Sequence, residues 1–491
     1  MAKQIDVALI GTSLVNLGIR SLKASLKEIG ISPQLYILNT RNLTYTDSEI
    51  KHVITALKDQ DPKIIGLSCI EYSAIKAKQL IKSIKSSDLL RNKILIVGGV
   101  HPSICPEEYI DLVDIVLIGE GERVFIELTE SILNNKDYSS ISNLWVRNGE
   151  KIIKNKKGPL IEDLDILPLP DYSSGVNMLV SGRLVKSKKE DLSGRYTHLK
   201  KKAVFLFGVR GCPKRCSYCI NSRYDSYQWK IRKVSINKIV EYLQILKRNL
   251  KELDFIFFIE DDFFRRNQDE IEEFSLMYKR KINLPFFMNC SPETVSDIKL
   301  NILVKAGLKI LNMGIQSGSE SVNKIIFNRN IDSAEIIRAG GIIHEYSSKV
   351  YPMYDVIVSN PYERHEDLLG GINLIQKIPK PFMLHIHYLV FYKGTVLYDK
   401  AVKDGLIDEN YLESGYDLHV LKQHLKKNEN YYLNSLISWM EGRHTAWRRG
   451  YIPAFFLKVL IMKKCCVFFK MFPNLVFFIN IVLDRVCKRK S

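Results

Sequence analysis

The sequence predicts an α/β protein. A doubly wound domain comes first, then a partial (β/α)6 barrel of the TIM type, then a helical C-terminal tail. Three observations lead there. Short apolar strands alternate with helical patterns from the first residues. A second series of such units starts near Ala203. The length, 491 residues, has room for two or three domains of ~100–200 residues each.

Strands of the first series are expected at 7–11 (VALIG), 33–40, 63–70, 93–99 and 114–119. They are continuous apolar runs, so they belong in a parallel sheet covered on both faces. Residues 1–135 are assigned to this Rossmann-like domain, where ligands bind at the carboxyl ends of the strands. Residues 136–200 form a connector with a hairpin at NLWVRNGEKIIKN, and Pro168 and Pro170 keep its second half extended. Strands of the second series are expected at 203–209, 254–262, 284–290, 309–315, 350–358 and 383–391, inside a barrel spanning 201–400. Barrel chemistry belongs at the C-terminal strand ends. Residues 401–491 complete the chain as a helical region with a basic, apolar tail.

Composition sets further bounds. An apolar content of 46% fits a folded globular chain. The net charge of +18 favours polyanions or an anionic surface, without choosing among them. The opening MAKQIDVALIGTS has neither a long apolar stretch nor a cleavage site. A cytoplasmic setting is therefore expected, with the nine cysteines reduced.

Three of those cysteines carry the chemistry. Gly208-Val209-Arg210-Gly211-Cys212-Pro213-Lys214-Arg215-Cys216-Ser217-Tyr218-Cys219 follows a strand directly. Thiolates are the usual ligands of iron–sulfur clusters. Cys212, Cys216 and Cys219 can hold three corners of a cubane and leave the fourth iron open to a small molecule. A zinc site would call for a fourth ligand, usually from a second cysteine pair, and none follows.

The spacing C-x3-C-x2-C, with the aromatic Tyr218 before the last cysteine, resembles the radical S-adenosylmethionine (SAM) signature. The resemblance implies a 4Fe–4S cluster that binds SAM and cleaves it reductively to a 5′-deoxyadenosyl radical. It implies SAM contacts from Tyr218 and from Glu260, Asp261 and Asp262 at the end of the second barrel strand. Gly314-Ile315-Gln316-Ser317-Gly318-Ser319 is similar to the family's G-I-E-S-G-S segment. Gln316 and Ser317 are thus expected beside SAM, with an amide at Gln316 in place of the acid that meets the ribose.

The order of doubly wound domain, Leu164–Tyr172 connector and barrel resembles the cobalamin-binding subfamily. The strand-end loops VGGVHPSICPEE (97–108) and VLIGEGE (116–122) look like that subfamily's. Gly98 and Gly99 remove side chains where a flat ligand would approach the backbone. Gly119, Glu120 and Gly121 open a helix whose free amides suit polar ligand groups. His101 is a candidate contact to the corrin. The D-x-H-x-x-G motif that gives cobalt a lower histidine is absent, and Asp417-Leu418-His419 reads as a chance string.

The resemblance implies an enzyme that methylates, or else rearranges or cyclises, an unactivated carbon of a small-molecule or lipid-like substrate. An external one-electron reductant such as flavodoxin or ferredoxin is implied too. A tRNA methylthiotransferase is an alternative, but it would place three more cluster cysteines in the first domain, which offers Cys69 and Cys105. Nucleic acid is therefore not the expected partner. A non-catalytic cobalamin or redox sensor is a further alternative. The tail pairs Phe455, Phe456, Phe468, Phe469, Phe477 and Phe478 with eight Lys/Arg and one acid, Asp484, over residues 451–491. That pairing suggests peripheral contact with an anionic membrane, at the inner membrane face.

Overall fold

The computed structural model describes residues 5–12, 15–38, 42–187, 195–196, 201–223, 230–408, 430–444, 448–449, 452–476 and 478–479. Asp417-Leu418-His419, Phe477 and Asp484 lie outside the described residues, as does the Phe455 side chain.

The first sheet is built on β1 (Val7–Gly11), β2 (Gln34–Ile37), β3 (Ile64–Ser68), β4 (Ile94–Gly98) and β5 (Ile115–Leu117). All five run parallel in the order β5-β4-β3-β1-β2. Val7, Leu9, Ile64, Ile96 and Ile115 point to one covered face, and Ala8, Ile10, Ile65, Leu95 and Val116 to the other. This is why the strands read as unbroken apolar runs. The strand order reverses between β1 and β3, and such a switch point opens a crevice at the carboxyl edge.

Residues 144–186, read from the sequence as connector, contribute more than an extended link. β6 (Leu144–Asn148) and β7 (Lys151–Lys154) form the expected hairpin, which pairs antiparallel with β5. β8 (Asn177–Val180) and β9 (Arg183–Lys186) form a second hairpin beside β2. The result is one nine-stranded sheet. Each hairpin covers an edge strand whose backbone donors and acceptors would otherwise face water.

β10 (Arg195–Tyr196) and β11 (Lys201–Leu206) begin the second sheet. β12 (Val209–Arg210) and β13 (Arg232–Lys233) form a two-stranded ribbon at the cysteine loop. β14 (Phe255–Phe258), β15 (Phe286–Cys290), β16 (Leu308–Gln316), β17 (Tyr351–Val358) and β18 (Phe382–Tyr388) continue parallel from β11. An antiparallel strand, β19 (Gly442–His444), closes the far edge. Six parallel strands give the expected partial barrel. Its outer layer is aromatic. Phe258, Phe274, Tyr278 and Phe286 are each fully buried, with ring centroids 5.0–6.4 Å apart. Such pairs stabilise by about 0.5–1.5 kcal/mol each beyond the area they bury.

In the tail, the helices Ala454–Leu460 and Lys463–Met471 pack on the helix Tyr431–Trp439 through Leu457, Cys466 and Phe469. Phe469 stacks on Tyr432 with centroids 4.6 Å apart. Among the described residues no helix is long and apolar enough to cross a membrane.

Candidate functional site

A cavity of about 490 Å³ lies between the carboxyl edge of the first sheet and the cysteine loop. Gly66, Ser68, Gly98, Gly99, Gly119, Glu120 and Gly121 line it from the first sheet. Arg210, Gly211, Cys212, Asn221, Glu260 and Asp261 line it from the barrel, and Leu164 to Pro170 contribute a third wall. Leu9, Ile96 and Phe125 extend it down one face of the sheet. The glycines keep this wall open for reasons of close packing. Gly99 has φ +106°, and a Cβ there would meet the Cys69 carbonyl oxygen at 2.5 Å. A Cβ on Gly66 would touch Leu9 at 3.0 Å. Behind Gly121 the helix Glu122–Leu133 begins, with its first amides at the cavity.

A charged clamp ties the two walls together. Glu120 accepts from Arg210 at 3.0 Å and from Arg232 at 2.8 and 2.9 Å. Arg210 also donates to Glu122, at 2.5 Å. Arg210 and Arg232 sit on the paired strands β12 and β13, so the clamp grips the base of the cysteine loop. Burial alone would raise the Glu120 carboxyl, but hydrogen bonds and charge from Arg232 and Arg210 outweigh it and hold it below the usual carboxylate range. The clamp joins residues 90 and 112 positions apart, which local pattern reading does not see.

The cysteine loop is anchored by its backbone. Ser217 N–H donates to the Phe327 carbonyl at 2.9 Å, and Leu397 N–H donates to the Ser217 carbonyl at 2.9 Å. Cys219 N–H donates to the Cys216 carbonyl, also at 2.9 Å. Tyr218 packs edge-on against Phe327, with centroids 4.8 Å apart. Burial pushes the Cys212 thiol up to about 11 and the Cys219 thiol up to about 12. Both are therefore protonated at neutral pH until a cation displaces the protons, as thiol sites behave on metal loading. Three thiols on one anchored loop form a donor set suited to an iron–sulfur cluster.

The acids after β14 divide their work. Asp261 lines the cavity, accepts from Asn221 Nδ2 at 3.1 Å and hydrogen-bonds the Cys212 thiol. Glu260 is 2% exposed, and burial pushes its carboxyl up to about 7. It receives the Gly208 N–H at 3.4 Å, beneath the loop. Asp262 turns away, accepting from Phe264 N–H at 3.0 Å and Thr294 Oγ1 at 2.9 Å.

Gln316 ends β16 in a left-handed conformation, φ +68°, which is costly for a residue with a side chain. Its amide folds back over Gly314, so a Cβ on Gly314 would meet Gln316 Nε2 at 2.5 Å. Arg329 braces the turn through the Gly314 and Ile315 carbonyls, at 2.7 and 3.0 Å. Ser317 is buried and donates to Glu363 at 3.0 Å. His101 does not line the cavity. Its ring is buried against Tyr109, with Nδ1 2.7 Å from the hydroxyl. Gly99, two residues earlier, reaches the cavity while the histidine points into the domain, because the short helix Val100–Ile104 starts between them.

Sequence reading also passed over Asp355, His385 and His387, which come together on β17 and β18. The alternation His385-Ile386-His387 was the signal available, since residues two apart in a strand share a face.

Comparisons with known proteins bear on the whole arrangement. Residues 207–375 match the family model of the radical SAM superfamily, and residues 3–129 match that of the B12 binding domain. An uncharacterized methyltransferase of Pyrococcus horikoshii is 24% identical over 415 residues, covering 81% of this chain and 81% of the relative. The bacteriochlorophyllide d C-8(2)-methyltransferase of Chlorobaculum tepidum is 24% identical over 375 residues, covering 74% of this chain and 73% of the relative. The radical SAM methyltransferase TsrM from Kitasatospora setae, solved with cobalamin and a 4Fe–4S cluster bound, is similar in structure with a TM-score of 0.62. The match covers 82% of this chain and 75% of that one at 14% identity, and it shows a shared fold.

Proposed function

We propose that the chain is a cobalamin-binding radical SAM enzyme that transfers a methyl group to an unactivated carbon of a small-molecule or lipid-like substrate. Its cofactors are a 4Fe–4S cluster, SAM and cobalamin. When bound, the cluster and SAM would supply a 5′-deoxyadenosyl radical, and cobalamin would pass to the substrate a methyl group taken from a second SAM. Methyl transfer is preferred over cyclisation or rearrangement because the two relatives above, matched over 81% and 74% of this chain, are both named methyltransferases, whereas the anaerobic magnesium-protoporphyrin IX monomethyl ester cyclase of Rubrivivax gelatinosus is matched over 61%.

The single observation that carries this reading is the shared cavity. Cys212 and Asp261 line the same space as Gly98, Gly99, Gly119 and Gly121. A ligand held on the sheet edge therefore faces the cysteine loop without crossing bulk solvent. In the proposal Cys212, Cys216 and Cys219 ligate the cluster. Asp261, with Tyr218, Gln316 and Ser317 on neighbouring elements, positions SAM. The open sheet edge takes the corrin, and the space beside Leu9, Gly66 and Phe125 takes its nucleotide tail. Glu120 keeps the two walls in register. A flavodoxin or ferredoxin delivers the electron.

The test is anaerobic reconstitution with iron, sulfide and hydroxocobalamin. The loaded protein is then given a one-electron reductant such as reduced flavodoxin and SAM carrying a deuterated methyl group, together with an extract of a deletion strain. The expected result is 5′-deoxyadenosine together with a substrate that gains the labelled methyl. Cleavage of SAM with no labelled product in any fraction would remove methyl transfer from the proposal.

A second element of the proposal concerns the tail. Phe456, Val459, Val467, Phe468, Phe472 and Phe478 are 49–63% exposed beside the exposed lysines Lys458, Lys463, Lys464 and Lys470. This surface fits peripheral contact with an anionic membrane, from which a lipid-like substrate would be drawn.

A further inference from the structure

The lumen of the barrel holds a cluster outside the cavity described above. Along β17 the residues Tyr354, Val356 and Val358 are buried against the helical layer. Tyr351, Met353, Asp355 and Ile357 alternate with them and face the lumen. On β18, His385 is the register partner of Asp355. His387 follows two residues later on the same face.

The ligand atoms converge. Asp355 Oδ1 lies 3.4 Å from His385 Nδ1 and 3.2 Å from His387 Nε2. One donor atom from each residue fits within a 4.8 Å group. Two ligands each ~2.1 Å from a common ion stand about 3.0 Å apart at a right angle and about 3.4 Å apart at the tetrahedral angle. Both spacings fall in that window. The second carboxylate oxygen is already held, since Asn312 Nδ2 donates to Asp355 Oδ2 at 2.6 Å. Asn312 is in turn 3.2 Å from Asn289 Oδ1. A carboxylate ligand steadied by an amide is the usual surrounding of a metal site.

We infer that Asp355, His385 and His387 bind a divalent ion of the zinc class on the lumen wall. Two imidazoles and one carboxylate occupy one side of such an ion and leave its other positions open. The side chains of Asp355, His385 and His387 are 19%, 31% and 54% exposed, so the open side faces the lumen. Its remaining ligands are water or an oxygen donor of the substrate, a carboxylate or a carbonyl. The strands that carry the site, β17 and β18, stand at the other end of the parallel set from β11, which feeds the cysteine loop.

The experiment uses the full chain loaded with its cluster, so that the cysteine loop is already filled. Zinc(II) is added, excess is removed on a desalting column, and the metals are counted. The expected result is one zinc per chain beyond the cluster iron, with nitrogen and oxygen scatterers at about 2.0–2.1 Å in X-ray absorption and no sulfur at about 2.3 Å. Asp355→Ala and His387→Ala are expected to lose the zinc while keeping iron content and circular dichroism. Asn312→Ala is expected to weaken zinc affinity roughly 10–100-fold through the carboxylate it steadies. Loaded protein that retains no zinc overturns the inference, and the three side chains are then a hydrogen-bonded set. Sulfur ligation, or equal retention by Asp355→Ala, overturns it as well. If the variants do not fold, the wild-type metal count and absorption spectrum still decide. None of these readouts depends on methyl transfer, so failure here is separate from failure of the proposed reaction.

Discussion

At the scale of single residues, the three loop cysteines and Glu120 make different demands on the fold. Removing one thiolate leaves two protein ligands for a cubane, which is too few to retain it. Cys216→Ala is therefore expected to lose cluster iron and SAM cleavage, whereas Cys69→Ala and Cys290→Ala keep both. Cys69, just after β3, and Cys290, the last residue of β15, are buried in separate hydrophobic clusters. Iron content of the Cys216 variant equal to wild type would sink the assignment. Glu120 acts through charge. Its partner Arg232 has a side chain only 4% exposed, so deleting the acid strands a buried guanidinium. Glu120→Ala is expected to cost on the order of 3 kcal/mol of stability at neutral pH. Because the folded carboxyl titrates below its unfolded value, its contribution is complete above the unfolded pKa. It disappears as pH falls through the folded one. The gap in urea-unfolding free energy between wild type and Glu120→Ala should therefore narrow on acidification through pH ~4 and below. A gap that stays constant down to acid unfolding would show that the clamp is not electrostatic.

At the scale of elements, the parallel strands and the turns that end them decide what meets the cofactors. Among the described residues the cavity lining contains glycines, acids, two arginines and Cys212 but no histidine. His101, the nearest histidine in sequence to the glycine turn, is buried beneath the edge. Cobalamin is expected to bind with no protein imidazole on cobalt. Electron paramagnetic resonance of the reduced cob(II)alamin form reads this directly, and superhyperfine splitting from a protein nitrogen would refute it. The same elements show what pattern reading can see. β1, β3 and β4 were legible because both of their faces are buried, which leaves an unbroken apolar string. The glycine turns were legible because a positive φ or a close backbone approach, as at Gly99, demands glycine locally. The hairpins β6–β7 and β8–β9 were legible only as local structure, since nothing in a strand of four or five residues names the edge it will cover. The clamp from Glu120 to Arg232, and the meeting of Asp355 with His385 and His387, depend on which strands become neighbours. Asp262 looked equivalent to Asp261 in the sequence, yet the turn after β14 sends one carboxylate to Thr294 and the other to the cavity.

At the scale of the whole molecule, the helices after Pro453 have two faces with different fates. One face is anchored, with Leu457, Cys466 and Val476 buried against the body of the protein. The other is open. Phe456, Phe468, Phe472 and Phe478 stay 49–63% exposed, with Lys458, Lys463, Lys464 and Lys470 also exposed among them. Aromatic rings can enter the acyl boundary while lysine stems lie along it and carry their charge to the phosphates. Each basic residue near an anionic surface contributes ~1 kcal/mol. Four lysines, on a chain of net charge +18, are enough for salt-sensitive adhesion without a spanning helix. Deleting the tail would also uncover Tyr432, which stacks on Phe469, so charge reversal is the cleaner perturbation. The full chain is expected to co-sediment with vesicles containing phosphatidylserine at low salt, and far less with vesicles of phosphatidylcholine alone. The triple change Lys463→Glu, Lys464→Glu, Lys470→Glu should release it while leaving its circular dichroism unchanged, because all three positions are solvent-exposed. Intact protein that stays in the supernatant with anionic vesicles, or that binds both vesicle types equally, would mean that these residues serve something other than an anionic membrane.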